Sequence, residues 1–253
     1  MKKILVADKL SKAGTDLLSE SYEVVIKTGL SEDEIIKIIG DFDALLVRSQ
    51  TQVTQQIIDA AKNLKVIGRA GVGIDNIDLD SATEKGIIVV NAPSANTISA
   101  AEHAFGLMLA TARNIPQGNE SLKNGKWERS NLMGLELYGK TLGLVGLGRI
   151  GAEVAKRALA FEMQVLAHDP FVSDDRAKSL GVELVSIEDL FSKSDFISLH
   201  TALVEQTKGI VNKQLLANSK ENLIIINAAR GPLINSKDLI DAIKSNKLKG
   251  AAI

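Results

Sequence analysis

Gly146, Gly148 and Gly151 stand at the spacing of a phosphate-binding turn, in Gly146-Leu147-Gly148-Arg149-Ile150-Gly151. An apolar run at 142–145 precedes them, and a helical pattern follows with Val154, Ala155, Ala158 and Leu159 on one face. A second apolar run, 163–167, leads to Asp169. Each part has a task in holding a dinucleotide. Gly146 permits the tight turn, Gly148 lets the backbone approach a pyrophosphate, and Gly151 lets the helix pack closely on the strand. Free N–H groups and the dipole at the helix start favour a phosphate there. The Asp169 carboxylate suits the ribose hydroxyls of adenosine and would repel a 2′-phosphate, so the expected cofactor is NAD rather than NADP.

Three arginines follow apolar runs. Arg48 opens Arg48-Ser49-Gln50-Thr51, and Arg69 opens Arg69-Ala70-Gly71-Val72-Gly73-Ile74-Asp75-Asn76. Forked, permanently charged guanidinium groups suit carboxylate or phosphate, and the Gly71-Val72-Gly73 turn can present successive N–H groups to an anion. The same residues also allow two surface arginines in salt bridges and glycines that merely turn the chain. Arg230, in Asn227-Ala228-Ala229-Arg230-Gly231, has the geometry to point into a cleft and bind an α-keto acid. A helix-end or interface arginine is the other reading. His103, His168 and His200 read as packing or hydrogen-bonding residues rather than bases. None lies at metal-ligand spacing, so no metal site is expected.

The elements that must position these groups alternate short apolar runs with amphipathic helical patterns, the rhythm of an α/β chain with parallel sheets. In the first part the runs are 4–7, 22–26, 44–47, 66–68 and 87–90; later come 182–185, 196–199, 223–227 and 251–253. Ser31-Glu32-Asp33-Glu34 is a capping box opening a helix that Gly40 closes. A loop at 91–96 marks a boundary, and a long helix is expected over 97–113. Residues 114–137 read as polar and irregular around Trp127, as either a dimer arm or a tryptophan packed on its own domain.

The chain has 253 residues, 45% hydrophobic and 24% charged, which is ordinary for a globular protein. A net charge of −1 gives no electrostatic case for nucleic acid or an anionic membrane. The absence of cysteine rules out disulfides and thiolate metal sites and fits a cytoplasmic location. Asp8 and Lys9 cut short the only run resembling a signal peptide, and no stretch is apolar enough to cross a bilayer.

Eight ordered stretches together resemble the D-isomer-specific 2-hydroxyacid dehydrogenases. They are VRSQT at 47–51, GRAGVGIDNID at 68–78, NAPSANTISAAEH at 91–103, GKWER at 125–129, GKTLGLVGLGRIG at 139–151, HDPF at 168–171, SDFISLHT at 194–201 and NAARG at 227–231. The resemblance implies two doubly wound parallel-sheet domains: a flavodoxin-like substrate domain over 1–97, and a Rossmann NAD domain over 98–253 with a dimer arm at about 114–137. It implies that Arg230 is catalytic, holding the substrate carboxylate and polarising its carbonyl. It places Arg48, Ser49, Arg69, Gly71, Val72 and Gly73 on the substrate side. Val72, Gly146, Gly148, Arg149, Ile150, Gly151, Asp169, Thr201, Ala228, Ala229 and Arg230 align with cofactor contacts. A homodimer or tetramer is implied.

VRSQT and RAGVGIDNID favour members acting on 3-phosphoglycerate, whose oxidation opens serine synthesis, over those acting on lactate, glycerate or formate. The alternatives are another 2-hydroxyacid dehydrogenase and a non-catalytic NAD-sensing corepressor. Two departures from the family pattern stand out. Ala202 replaces the proline usual after His-Thr, which should loosen a loop. The family's catalytic glutamate and histidine, and an aspartate near the nicotinamide, have no counterpart up to Ile253, so the chain is expected to be truncated.

Overall fold

A computed structural model describes residues 1–253, which divide into two compact units, Met1–Asn96 and Thr97–Ile253. The first unit runs β1 (Lys3–Val6), α1 (Lys12–Ser19), β2 (Glu23–Ile26), α2 (Glu32–Ile39), β3 (Ala44–Val47), α3 (Gln55–Ala60), β4 (Val66–Arg69), α4 (Leu79–Glu84) and β5 (Ile88–Asn91). Its strands lie in the order β2-β1-β3-β4-β5, every pair parallel, which is the flavodoxin-like order. One face is thickly covered: Leu5, Leu45, Val47 and Ile67 pack with Ile35 and Ile39 of α2 and Ile57 and Ile58 of α3. The other is thinner, with Ile4, Val6 and Ala44 against Leu18 of α1, and it leaves Ile88 and Val90 of β5 64% and 49% exposed. At the start of α2 the Ser31 N–H and hydroxyl both donate to Glu34 at 2.8 Å. Gly40 ends that helix in the ordinary right-handed conformation, φ −59°.

The second unit begins with α5 (Thr97–Ala112) and α6 (Ile115–Lys123), and a 3-10 turn at Arg129–Leu132 leads on to the sheet. There follow β6 (Thr141–Val145), α7 (Arg149–Ala160), β7 (Gln164–His168), α8 (Asp174–Ser179), β8 (Glu183–Leu184), α9 (Ile187–Lys193), β9 (Phe196–Leu199), α10 (Lys213–Asn218), β10 (Leu223–Ile226), α11 (Ser236–Lys244) and β11 (Leu248–Ala252). The order β11-β10-β9-β6-β7-β8, again all parallel, is the doubly wound Rossmann arrangement. Strands buried on both sides need apolar residues at successive positions. Leu142, Leu144, Phe196, Ile224 and Ile226 face α5 and α7, while Val145, Ile197, Leu199 and Ile225 face the core built with α9, α10 and α11.

Three local expectations change. Helix α7 starts at Arg149, ahead of the third glycine; Val154, Ala155 and Ala158 are buried on it, but Leu159 is 36% exposed. Segment 114–137 is not irregular throughout, because α6 occupies part of it. Pro116 sits in the first turn, where the missing N–H costs nothing, and Asn114 turns the chain in the left-handed region at φ 52°. Trp127 is 79% exposed, so it is not packed on its own domain. No helix is long and apolar enough to cross a membrane.

Candidate active site

The three glycines of the turn meet three different demands. Gly146 has φ +97°, and a Cβ there would lie 2.8 Å from the His200 carbonyl. A Cβ on Gly151 would collide with the Gly146 carbonyl oxygen, so helix and strand touch at that point. Gly148 is not strained, with φ −70°, and a Cβ on it would meet nothing within 4 Å. Free space at Gly148, at an α7 start without a side-chain cap, is what an approaching pyrophosphate requires. Arg149 beside it is exposed and Ile150 half-buried. The strand order reverses between β9 and β6, so the crevice where such sheets take ligands opens above Gly146 and Thr201.

Asp169 follows β7 and is half-buried. One oxygen accepts the Leu147 N–H at 2.8 Å and the other the Phe171 N–H at 2.9 Å. The carboxylate is therefore tied to the glycine turn and retains lone pairs for two hydroxyls. Past β10, the buried Asn227 shapes the loop that carries Ala228, Ala229 and Arg230. Its Oδ1 accepts the Ala229 N–H at 3.1 Å, and its Nδ2 donates to the Arg230 carbonyl at 2.9 Å. Arg230 is half-buried and its Nη1 donates to the Ala229 carbonyl at 2.8 Å. Where Ala202 replaces proline, Thr207 ties the loop, donating to the Ala202 carbonyl at 2.6 Å and accepting the Val204 N–H at 2.9 Å.

His200 and His168 take hydrogen-bonding roles, as the sequence suggests, whereas His103 is not packed. His200 shares a 2.8 Å hydrogen bond between Nε2 and Ser198 Oγ, and burial lowers its pKa to about 4, so it is neutral at pH 7. His168 Nδ1 meets the Val185 carbonyl at 3.2 Å, and His103 is exposed on α5. No group of histidines and carboxylates is arranged to hold a metal.

In the first unit the loops after β3 and β4 are joined. Asn76 Nδ2 donates to the carbonyls of Arg48 and Thr51 at 2.8 and 2.7 Å. Arg48 and Ser49 are exposed, whereas Arg69 is half-buried and lies across Gly71, where a Cβ would overlap its Nη1. Gly71 thus makes room for a guanidinium and does not take a left-handed φ. Val72 and Gly73 are half-buried beside it, and the Val72 carbonyl accepts Asn91 Nδ2 at 2.6 Å. Sequence reasoning missed Asp8, Asn76, Asn91 and Asn227, which shape the loops. Their only sequence signal is a short Asx side chain at or near a strand end, able to bond backbone groups.

Residues 105–253 match the model of the D-isomer specific 2-hydroxyacid dehydrogenase, NAD binding domain. This chain belongs to that family. Its second unit is the NAD-binding domain. The chain is 53% identical over 254 residues to the D-3-phosphoglycerate dehydrogenase of Methanocaldococcus jannaschii, covering 100% of this chain and 48% of the relative. It is 51% identical over 252 residues to that of Archaeoglobus fulgidus, covering 99% and 48%. The chain therefore spans about half the length of the curated relatives it matches. Among solved structures it is similar to D-lactate dehydrogenase from Aquifex aeolicus complexed with NAD and lactic acid, with TM-score 0.89 and 27% identity, covering 99% of this chain and 75% of that one.

Proposed function

We propose that the protein carrying this chain oxidises 3-phospho-D-glycerate to 3-phosphohydroxypyruvate with NAD, the step that opens serine synthesis. The observation that carries this reading is the likeness, over essentially the whole of both units, to proteins named D-3-phosphoglycerate dehydrogenase. NAD supplies the hydride acceptor when bound. Gly146, Gly148 and Gly151 with the start of α7, including Arg149 and Ile150, take the pyrophosphate; Asp169 takes the adenosine ribose. Thr201, Ala228 and Ala229 line the same sheet end, and Val72 is assigned to the cofactor from the first unit. Arg230 holds the substrate carboxylate and carbonyl and stabilises charge on the carbonyl oxygen. Arg48, Ser49, Arg69, Gly71, Val72 and Gly73 bind the rest of the substrate, with the arginines suited to its phosphate.

Neither His200 nor His168 is given the proton-transfer step, because each has a ring nitrogen engaged in a structural hydrogen bond. Exposed Trp127 and Met133, 79% and 82% accessible, support an association of two copies through segment 114–137. The function is tested by comparing NADH formation from 3-phosphoglycerate, D-glycerate and D-lactate. A clear preference for the phosphorylated substrate is expected; equal or better use of D-glycerate would move the protein to another branch of the family.

A further inference from the structure

We propose that Asp8 is a positioning residue for substrate recognition, setting the backbone of the 48–51 loop so that Arg48 and Ser49 face the substrate. The proposal rests on the substrate role given above to those two residues. Asp8 lies just past β1, beside the end of β3, and is 1% exposed. Its Oδ2 accepts the backbone N–H groups of Arg48, Gln50 and Thr51 at 2.6, 3.3 and 3.2 Å, and its Oδ1 accepts the Thr51 hydroxyl at 2.7 Å. Three backbone donors from four consecutive residues converge on one oxygen only if the loop curls around it. The acceptor therefore dictates the curl.

Asn76 holds the same loop by its carbonyls, Arg48 and Thr51. With the main chain engaged by both side chains, Arg48, Ser49 and Gln50 are left exposed. An ionised carboxylate accepts all four of these donors with charge-assisted bonds. Burial raises the Asp8 carboxyl, but hydrogen bonds from the Thr51 hydroxyl and the backbone of Arg48, Thr51 and Gln50 outweigh it, leaving the group below its ordinary value of 3.8. An amide at position 8 would keep one oxygen for the backbone donors but lose the charge that strengthens those bonds, and its NH2 would force the Thr51 hydroxyl to accept instead of donate.

The test uses Asp8→Asn and the milder Thr51→Val, which removes one hydroxyl bond and keeps the carboxylate. In Asp8→Asn the KM for 3-phosphoglycerate should rise about tenfold, with kcat and NAD affinity changed less than about twofold. Amide exchange at Arg48, Gln50 and Thr51 should accelerate while Ile67 in β4 keeps its protection. Thr51→Val should raise KM by about threefold and carries the test if Asp8→Asn does not fold. A KM unchanged in both variants would overturn the inference, as would equal losses in KM, kcat and NAD affinity, which mark general destabilisation. Wild-type protein that does not act on 3-phosphoglycerate would instead sink the functional reading, and this inference with it.

Discussion

Because Asp169 already accepts the Leu147 and Phe171 N–H groups, its remaining lone pairs have a set direction, fixed relative to the glycine turn. Asp169→Ala is expected to weaken NAD about tenfold or more and NADP much less, since only NAD loses a charge-assisted partner. Equilibrium titration with both cofactors checks this, and an unchanged affinity ratio refutes the assignment. In the full-length protein, Arg230→Lys retains the charge but loses the fork, so turnover should collapse with NAD affinity little changed. Parallel kinetics and NAD titration decide it, and equal losses would place Arg230 on the cofactor. His200 carries a pH signature. Its ordinary value of 6.5 falls to about 4 in the fold, so between those values the unfolded chain binds the extra proton. Its contribution is fully present above pH 6.5 and declines as pH falls toward 4, by about 3 kcal/mol in all. Thermal melts of His200→Gln should depend less on pH across that window; a slope identical to wild type would remove His200 as its source.

The strand, turn and helix around the three glycines separate roles that are easily merged. Gly148→Ala puts a methyl group into free space at an unstrained φ, so stability should change by less than about 1 kcal/mol while NAD affinity falls. Gly151→Ala drives a methyl group into the Gly146 carbonyl and should cost about 1–3 kcal/mol even without cofactor. Melting curves with and without NAD distinguish the two; similar behaviour of both variants would refute the division of labour. These elements were readable from the sequence because apolar runs such as 142–145 end abruptly in glycine, and burial on both faces leaves no polar interruption. Helix α6 was not, since Gly118 and its polar residues weaken the pattern and Pro116 reads as a breaker unless the helix start is already known. The loop organisers escaped for another reason. Asp8 bonds residues 40 to 43 positions away, and Asn76 bonds residues 25 and 28 away, separations that no local pattern encodes.

At the scale of the molecule, the glycine turn, Asp169 and the Asn227 loop all belong to the second unit. NAD should therefore slow amide exchange at 141–151 and 165–169 far more than in β1 to β4, by a factor tied to its concentration over Kd. Equal slowing throughout β1 to β4 would refute the placement of the adenosine and pyrophosphate contacts in the second unit. The reversal in the second sheet has a consequence in time as well as space. Strands β6-β7-β8 and β9-β10-β11 each join neighbours in sequence, but β6 meets β9 only after the whole of β7 to α9 has been laid down. Parallel strands have no hairpin to shorten that closure, so the seam carries the largest entropic barrier in the sheet. Gly146 and His200 touch across this seam. Refolding protein should recover helix and strand signals first and its capacity to bind NAD in a later phase, because the nucleotide crevice is the join that closes last.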